Sequence, residues 1–199
     1  MDRVKDGRQS DSSFGNLLEL LRQLNGRQID IGKVLVKRKG WDIIVDAFIP
    51  SAVEAGILAV YVRVYSTYFT GDKCWFKIRR VGPLLGWFLT IFKRTQMLGG
   101  DRNFCRAFLV TSNHNMKMMH ILGGDGVRTL MLLIPQIAKL AIQSSPDSST
   151  GCNQIVATAL AWKPLYCIDM KTLNFLVDLV CEFCERLHAI GFAGKVGDR

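Results

Sequence analysis

The strongest strand signal in this chain is the stretch LAVYVRVYSTYF, residues 58–69. β-Branched and aromatic residues dominate it, and these residue types are enriched in strands. A turn candidate, Thr-Gly-Asp-Lys over residues 70–73, follows it, and residues 74–81 continue as a second strand. A tight turn centred on Gly71 and Asp72 would join the two strands as a β-hairpin. The stretch therefore predicts that antiparallel strand pairing decides the fold.

This hairpin predicts two sheet faces of different chemistry, because side chains alternate along a strand. One face is the more apolar and is expected to meet the core; it holds Tyr61, Arg63, Tyr65, Thr67, Phe69, Cys74, Phe76, Ile78 and Arg80. The other face is cationic and aromatic; it holds Val62, Val64, Ser66, Tyr68, Trp75, Lys77, Arg79 and Val81. We expect the second face to meet solvent.

The residues before this hairpin predict a helix and a second hairpin. Residues 1–12 are polar and lack periodicity, which indicates a disordered tail. Apolar residues with helical spacing predict a helix over residues 14–24. Residues 28–36 and 41–48 are rich in β-branched residues and are separated by a short break. We expect these two segments to pair as antiparallel strands.

The remainder of the chain adds strands and three helices. The expected strands cover residues 104–110, 136–143 and 154–160. Ser112 and Asp125 are N-cap candidates for a central helix pair, and an amphipathic pattern predicts a closing helix over residues 169–189. The order of elements predicts an α+β fold, in which antiparallel β-hairpins pack against an N-terminal helix, a central helix pair and a C-terminal helix.

Length and composition place the chain among globular proteins. Its 199 residues are 49% hydrophobic and 22% charged, which excludes the disordered class. We expect one domain over residues 13–190, with a subdivision near residues 95–112 as an alternative. Residues 191–199 are expected to form a C-terminal tail.

The charge of the chain favours anionic partners. The formal net charge is +9, and 16 of the 26 Lys and Arg residues lie within residues 1–100. A basic half of this kind attracts nucleic acid or acidic protein through a field that salt screens. A surface whose charge serves only solubility accounts for the same numbers.

Cysteine usage and hydropathy favour a cytoplasmic protein. Six cysteines are too few for a disulfide scaffold of this length, and the charged N-terminus lacks the apolar core of a secretory signal. The longest strongly apolar stretch, residues 81–92, is shorter than a membrane-spanning helix. Its residues Leu84, Trp87 and Phe88 can lie in a bilayer interface or cover the edge of a core, and we favour the core.

One cysteine cluster has the spacing of a metal site. Cys181, Cys184 and His188 lie at i, i+3 and i+7 of the expected closing helix, within reach of one zinc ion. A lone C-x-x-C inside a helix lacks the second ligand pair of zinc ribbons, and core packing accounts for the same residues. We therefore expect no metal and no cofactor.

The cationic hairpin face is the strongest binding candidate. Its members are Tyr68, Trp75, Lys77 and Arg79, and we expect Lys37, Arg38 and Lys39 to extend it. Interleaved aromatic and basic side chains bind single-stranded nucleic acid by stacking and by phosphate contacts. A solvated outer sheet face with a Tyr68–Trp75 cross-strand pair accounts for them equally.

The middle of the chain resembles a family of uncharacterised prokaryotic proteins described as a domain of unknown function. The resemblance rests on FKIRRVG, residues 76–82, and on LGGDRNF with FLV, residues 98–104 and 108–110. It covers about residues 60–190, and one position departs from the pattern, where Cys105 replaces an acidic residue. The resemblance implies an α+β domain and no activity, cofactor or catalytic residue.

These observations favour a binding or scaffold protein over an enzyme. No nucleophile elbow or zinc-protease motif is present in the sequence. We expect a non-enzymatic protein whose basic sheet face meets an anionic partner. The alternative is an enzyme whose site is assembled from residues far apart in the sequence. A deep cleft with perturbed titratable groups would favour that alternative, and a shallow face with clustered cations would favour binding.

Overall fold

The computed structural model describes residues 6–49, 59–69, 75–82, 102–134, 137–144, 152–163 and 166–194. The helices in these ranges are α1 (Asp6–Gln23), α2 (Arg102–Ala107), α3 (Asn115–Gly123), α4 (Asp125–Leu133) and α5 (Met170–Ala189). The strands are β1 (Arg27–Asp30), β2 (Lys33–Arg38), β3 (Trp41–Phe48), β4 (Val60–Phe69), β5 (Phe76–Arg80), β6 (Phe108–Ser112), β7 (Ile137–Ser144), β8 (Cys152–Lys163) and β9 (Tyr166–Cys167). The predicted α+β class is confirmed.

The described strands form one antiparallel sheet. Its order is β1-β2-β3-β4-β8-β7-β5-β6, and the short β9 pairs with β8. The predicted hairpin is confirmed for β2 and β3, whose turn places Lys39 and Gly40 at φ values of 50° and 78°. Glycine adopts this left-handed region without a steric cost, which explains the position of Gly40. The expected first strand of the hairpin, residues 28–36, is instead divided by a turn at residues 31–32 into β1 and β2, which also pair.

The predicted hairpin between β4 and β5 is wrong, although both strands exist. β4 lies between β3 and β8, whereas β5 lies between β7 and β6. β8 is long enough to pair with β4 from Val60 to Phe69, and this pairing places β4 inside the sheet. A local turn pattern cannot reveal a partner that lies far along the chain. The turn candidate itself, residues 70–73, lies outside the described residues.

The predicted faces of β4 are also reversed. Val60, Val62, Val64, Ser66 and Tyr68 are buried, and the alternate residues are partly exposed. The side chain of Tyr68 is 0% exposed, so its assignment to a solvent-facing surface is wrong. The reason is the strand order, because the core side of β4 is set by its neighbours β3 and β8 and not by β5.

The hydrophobic core lies on one face of the sheet, which we call the helix face. α5 contacts β3, β4 and β8, whereas α1 contacts β2 and β3. α3 and α4 pack against α5, and side chains from these helices and strands form one core cluster. The predicted packing of helices on antiparallel strands is therefore observed. We call the opposite face of the sheet the outer face.

The boundaries of α1 and α2 differ from the sequence prediction. α1 begins at Asp6, so the part of the expected tail that is described, residues 6–12, is helical. Residues 104–110 do not form one strand, because α2 continues to Ala107 before β6 begins. Apolar periodicity misses polar helical turns, and a short apolar run fits a helix or a strand equally well.

The C-terminal residues 191–194 are part of the fold, which corrects the expected tail. Phe192 and Ala193 are buried, and the backbone of Gly194 exchanges hydrogen bonds with Phe69 at 3.0 and 3.1 Å. Burial of an aromatic side chain holds this segment against the sheet. Residues 195–199 lie outside the described residues.

The described helices are α1 to α5, and a helix that crosses a membrane needs about 20 predominantly apolar residues. None of those helices combines the length with the apolar composition that a membrane span needs. Leu84, Trp87 and Phe88, which we considered for an interfacial contact, lie outside the described residues.

Candidate anion-binding surface

β5 directs Trp75, Lys77 and Arg79 to the outer face. Phe76 and Ile78 are buried on the helix face, so the residues that alternate with them point the other way. Trp75 directly precedes the strand and continues its ladder. Its N–H donates to the Asn113 side-chain oxygen at 2.8 Å, and its carbonyl accepts from the Asn113 N–H at 3.3 Å. The indole is 52% exposed, and Arg79 is also exposed.

Lys139 of β7 joins these cations across the sheet. The register places Arg79 opposite Lys139 and Lys77 opposite Ala141, and residues that are directly opposite share a face. Partial burial lowers the pKa of Lys139, and the neighbouring charges of Lys77 and Arg79 lower it further. We call Lys77, Arg79 and Lys139 the basic patch.

No described carboxylate forms an ion pair with the basic patch. Other cations of the sheet have such partners: Lys37 pairs with Asp42 at 3.8 Å, Arg38 with Asp178 at 3.0 Å and Lys39 with Glu182 at 3.6 Å. Among the described residues the basic patch is therefore a local excess of positive charge, whereas these other cations have acidic partners.

Lys37, Arg38 and Lys39 do not extend the basic patch, so this part of the sequence prediction is wrong. Lys37 and Arg38 end β2, which is separated from β5 by β3, β4, β8 and β7. Neighbouring strands lie about 4.8 Å apart, so five strand steps place these groups about 24 Å from β5. Composition alone groups these cations, whereas the strand order separates them.

A polar row crosses the outer face from the basic patch. Lys139 lies opposite Thr158, Thr158 lies opposite Arg63, and Arg63 lies opposite Asp46. The guanidinium of Arg63 donates to the buried carboxylate of Asp46 and lies 5.4 Å from the ring centroids of Phe48 and Tyr65. Arg63 is thus held by its own neighbours, and it is not counted in the basic patch.

Part of the outer face between β7 and β8 is closed to solvent, whereas Arg79 and Thr111 at its β5 and β6 end are exposed. In the row next to the polar one, Ala141 and Val156 are each only 3% exposed. Thr111 of β6 is exposed beside Lys77, and its hydroxyl donates to the Lys77 carbonyl at 3.2 Å. An incoming group can therefore meet Trp75, Thr111 and the basic patch from solvent.

Sequence reasoning missed Lys139 and Thr111. Both meet Lys77 and Arg79 only through cross-strand register, Lys139 from β7 and Thr111 from β6. Lys139 is a lone cation between apolar residues in the sequence, and no local pattern distinguishes it. The structure brings Trp75, Lys77 and Arg79 together as expected from alternation and separates them from Tyr68.

Two members of the cysteine cluster of α5, Cys181 and Cys184, are buried in the core. Burial raises the pKa of Cys181 to about 11 and that of Cys184 to about 12. The Cys181 thiol lies 3.6 Å from the Arg38 carbonyl, whereas His188 is exposed and its Nδ1 lies 2.7 Å from the Ala193 carbonyl. Within the described ranges no group of His, Cys, Asp and Glu side chains is arranged to hold a metal. Core packing explains the two thiols.

A cleft of about 570 Å³ lies between the β2–β3 turn, α4 and α5. Its polar lining residues are Lys39, Asp125, Thr129, Asp178, Cys181 and Glu182. These carboxylates face cations, since Arg128 binds Asp125 at 2.9 Å and Arg186 binds Glu182 at 3.0 Å. A buried thiol with a raised pKa is a poor nucleophile, so Cys181 is not an activated group. The cleft therefore does not favour the enzyme alternative.

Known proteins were compared with this chain by family model, by sequence and by structure. No family model, no curated protein and no solved structure matches it. The resemblance to a domain of unknown function stays a prediction.

Proposed function

We propose that this protein binds a polyanionic partner through the basic patch. The observation that carries the proposal is the placement of Lys77, Arg79 and Lys139 on adjacent strands with no described carboxylate to neutralise them. Opposite Arg79, a neutral or acidic residue would cost the fold less than a lysine, because like charges directly opposite destabilise a sheet. An anionic ligand removes that repulsion when it binds.

Trp75 supports the same proposal. A large aromatic side chain that is 52% exposed adds little to folding, whereas burial against a partner removes its apolar surface from water. Alternation along β5 places it on the same face as Lys77 and Arg79. The surface therefore offers charge for attraction and one aromatic group for close contact.

The test uses fluorescence anisotropy with a labelled heparin hexasaccharide, a polyanion with no base or peptide to recognise. We expect affinity to fall as salt rises, because salt screens the attraction. In the variant Lys77→Ala/Arg79→Ala/Lys139→Ala we expect binding to fall at least about tenfold at low salt, as the loss of charged hydrogen bonds predicts.

The control variant removes the same number of charges elsewhere. Arg22→Ala/Lys33→Ala/Lys37→Ala changes three cations of α1 and β2 that lie away from the patch. We expect it to retain most of the heparin affinity. Equal losses in the two variants would show that net charge alone attracts heparin and would contradict the proposal.

A further inference from the structure

β6 forms an edge of the described sheet, and its own residues supply neither the charges nor the bulge that usually protect such edges. Among the described strands its one neighbour is β5, and the two pair in regular register from Phe76 with Ser112 to Arg80 with Phe108. Its sequence, FLVTS, carries no charge. Charged residues, bulges and short length commonly prevent an edge from pairing with another chain.

The opposite edge of the sheet has these protective features. β1 has four residues, which include Arg27 and Asp30, and all four are exposed. Its pairing with β2 is interrupted by an irregularity between Gln28 and Asp30. The two edges therefore differ in chemistry, and among the described strands β6 is the edge that lacks charges and irregular pairing.

The hydrogen bonds between β5 and β6 identify the groups that point outward. The N–H of Asn113 donates to the Trp75 carbonyl, and the N–H of Val81 donates to the Ala107 carbonyl at 2.9 Å. Because hydrogen-bonded pairs alternate in an antiparallel ladder, the N–H and C=O of Val110 point away from β5. They are placed to bond a strand added beside β6.

We propose that the partner of the basic patch is an extended acidic polypeptide segment that pairs with β6 as an added strand. This inference rests on the proposed function. In such a strand the residue opposite Val110 lies on the helix face, and its two neighbours lie on the outer face. The matching segment has an apolar residue between two carboxylates.

The cations can reach those carboxylates. The added strand lies two strand steps, about 10 Å, from β5. Leu109 and Thr111, which lie between them on the outer face, are uncharged and lie opposite Arg79 and Lys77 in the register. Long Lys and Arg side chains on β5 extend towards a Glu side chain that reaches back from the added strand. Trp75 lies opposite Asn113, beside the C-terminal end of β6.

An acidic peptide fits this surface better than a single-stranded nucleic acid. An edge strand offers a peptide both donors and acceptors at fixed spacing, which is the basis of β-augmentation. A nucleic acid needs several stacking rings. The cationic hairpin face predicted from the sequence offered Tyr68 and Trp75, and since Tyr68 is buried, Trp75 is the one of the two that is exposed. Nucleic acid is therefore an outcome of the test and not the proposal.

The experiment titrates the full chain with a labelled peptide of alternating glutamate and valine. Three comparison ligands are the same peptide with alternate amides N-methylated, a single-stranded oligonucleotide and the heparin hexasaccharide. Amide hydrogen exchange at Val110 is followed in each titration. We expect the peptide to slow exchange at Val110, and N-methylation on the pairing edge to weaken binding at least about tenfold by removing backbone bonds.

The variant Lys77→Ala/Arg79→Ala should weaken peptide binding and reduce its salt dependence. Two results with the peptide would overturn the added strand and leave the proposed function standing. In the first, the peptide binds through the basic patch but does not slow amide exchange at Val110. In the second, the N-methylated peptide binds as tightly as the unmodified one. Patch-dependent binding of heparin or the oligonucleotide without peptide binding would also overturn only the added strand. If no probe depends on the patch, the proposed function and this inference both fail.

Discussion

Lys139 carries its positive charge in a place where the native protein disfavours that charge. Lys139 is partly buried on the outer face, where Arg79 lies directly opposite it and Lys77 lies two residues from Arg79 on the same strand. Partial burial and these charges lower its pKa, which means that the unfolded chain holds the proton more tightly than the native protein. The native state is therefore penalised at neutral pH.

Lys139→Met is expected to stabilise the protein at pH 7. It removes one charge from a repulsive group and keeps an unbranched apolar stem, and like-charge pairs of this kind cost about 0.2–1 kcal/mol. The penalty fades as pH rises through the lowered pKa towards the ordinary value, so the gain should shrink near pH 10. Urea denaturation at pH 7 and at pH 10 measures the change in the free energy of unfolding.

The control for this prediction is Lys37→Met, which removes an exposed lysine that already has the partner Asp42. Exposed ion pairs contribute little, so this variant should change stability only slightly, and without a gain. A decrease in stability in Lys139→Met would show that the three cations are not in repulsive contact in the native protein.

At the scale of elements, α5 is the part of the fold that local sequence specifies most fully. Its N-cap Asp169 accepts the N–H of Thr172 at 2.7 Å, and its apolar stripe, which includes Leu173, Leu176 and Val180, is buried. A capping residue and helical periodicity are both contained within the segment, so they can be recognised without knowledge of its neighbours.

Asp169→Ala is expected to destabilise the protein by about 0.5–2 kcal/mol, because the first-turn N–H groups lose their acceptor. Hydrogen bonds from Thr172 lower the pKa of Asp169. The stabilisation by this charge is therefore complete above the ordinary pKa of an Asp and is lost as pH falls through the lowered value. Thermal melts between pH 7 and pH 2 measure both effects.

Asp169→Asn is the matched comparison, since an amide oxygen can still cap the helix but carries no charge. The stability of this variant should be closer to that of the parent at pH 7. It should also lack the loss of stability at low pH that protonation of Asp169 causes in the parent. Identical pH profiles for the parent and Asp169→Asn would contradict the assigned role of the carboxylate.

The segment from α2 to β6 shows the limit of local pattern. Its residues 104–110 are mostly apolar, and such a run satisfies helical and strand periodicity equally. The change from helix to strand at Phe108 coincides with the start of pairing to β5, where Phe108 lies opposite Arg80. That change depends on a partner strand, so the segment alone does not reveal it.

At the scale of the whole molecule, β8 joins the two parts of the sheet. It lies between β4, which ends the β1-β2-β3-β4 part of the sheet, and β7, which begins the β7-β5-β6 part. Three of its residues on the helix face are small and buried: Ala157, Ala159 and Ala161. Small side chains there allow α5 to contact both β8 and β4. The centre of the fold depends on this close approach.

Ala157→Leu is expected to destabilise the protein by about 1–3 kcal/mol, because added methylene groups overpack a core that has no space for them. Thr158→Leu adds a similar side chain one residue later on the outer face and should cost less. Urea denaturation of the two variants compares the faces directly. Equal losses would show that α5 does not rest on this strand.

Local sequence patterns predict most of the elements and the chemistry that each carries. β-Branched runs, alternation and capping patterns are local, so they located β4, β5, β7, β8 and α5 and placed Trp75, Lys77 and Arg79 on one side of β5. The tertiary structure decided strand order, and with it which side of β4 is buried and which cations meet. Tyr68 entered the core and Lys139 joined the basic patch because sheet pairing connects residues that are remote in sequence, and no local pattern contains that information.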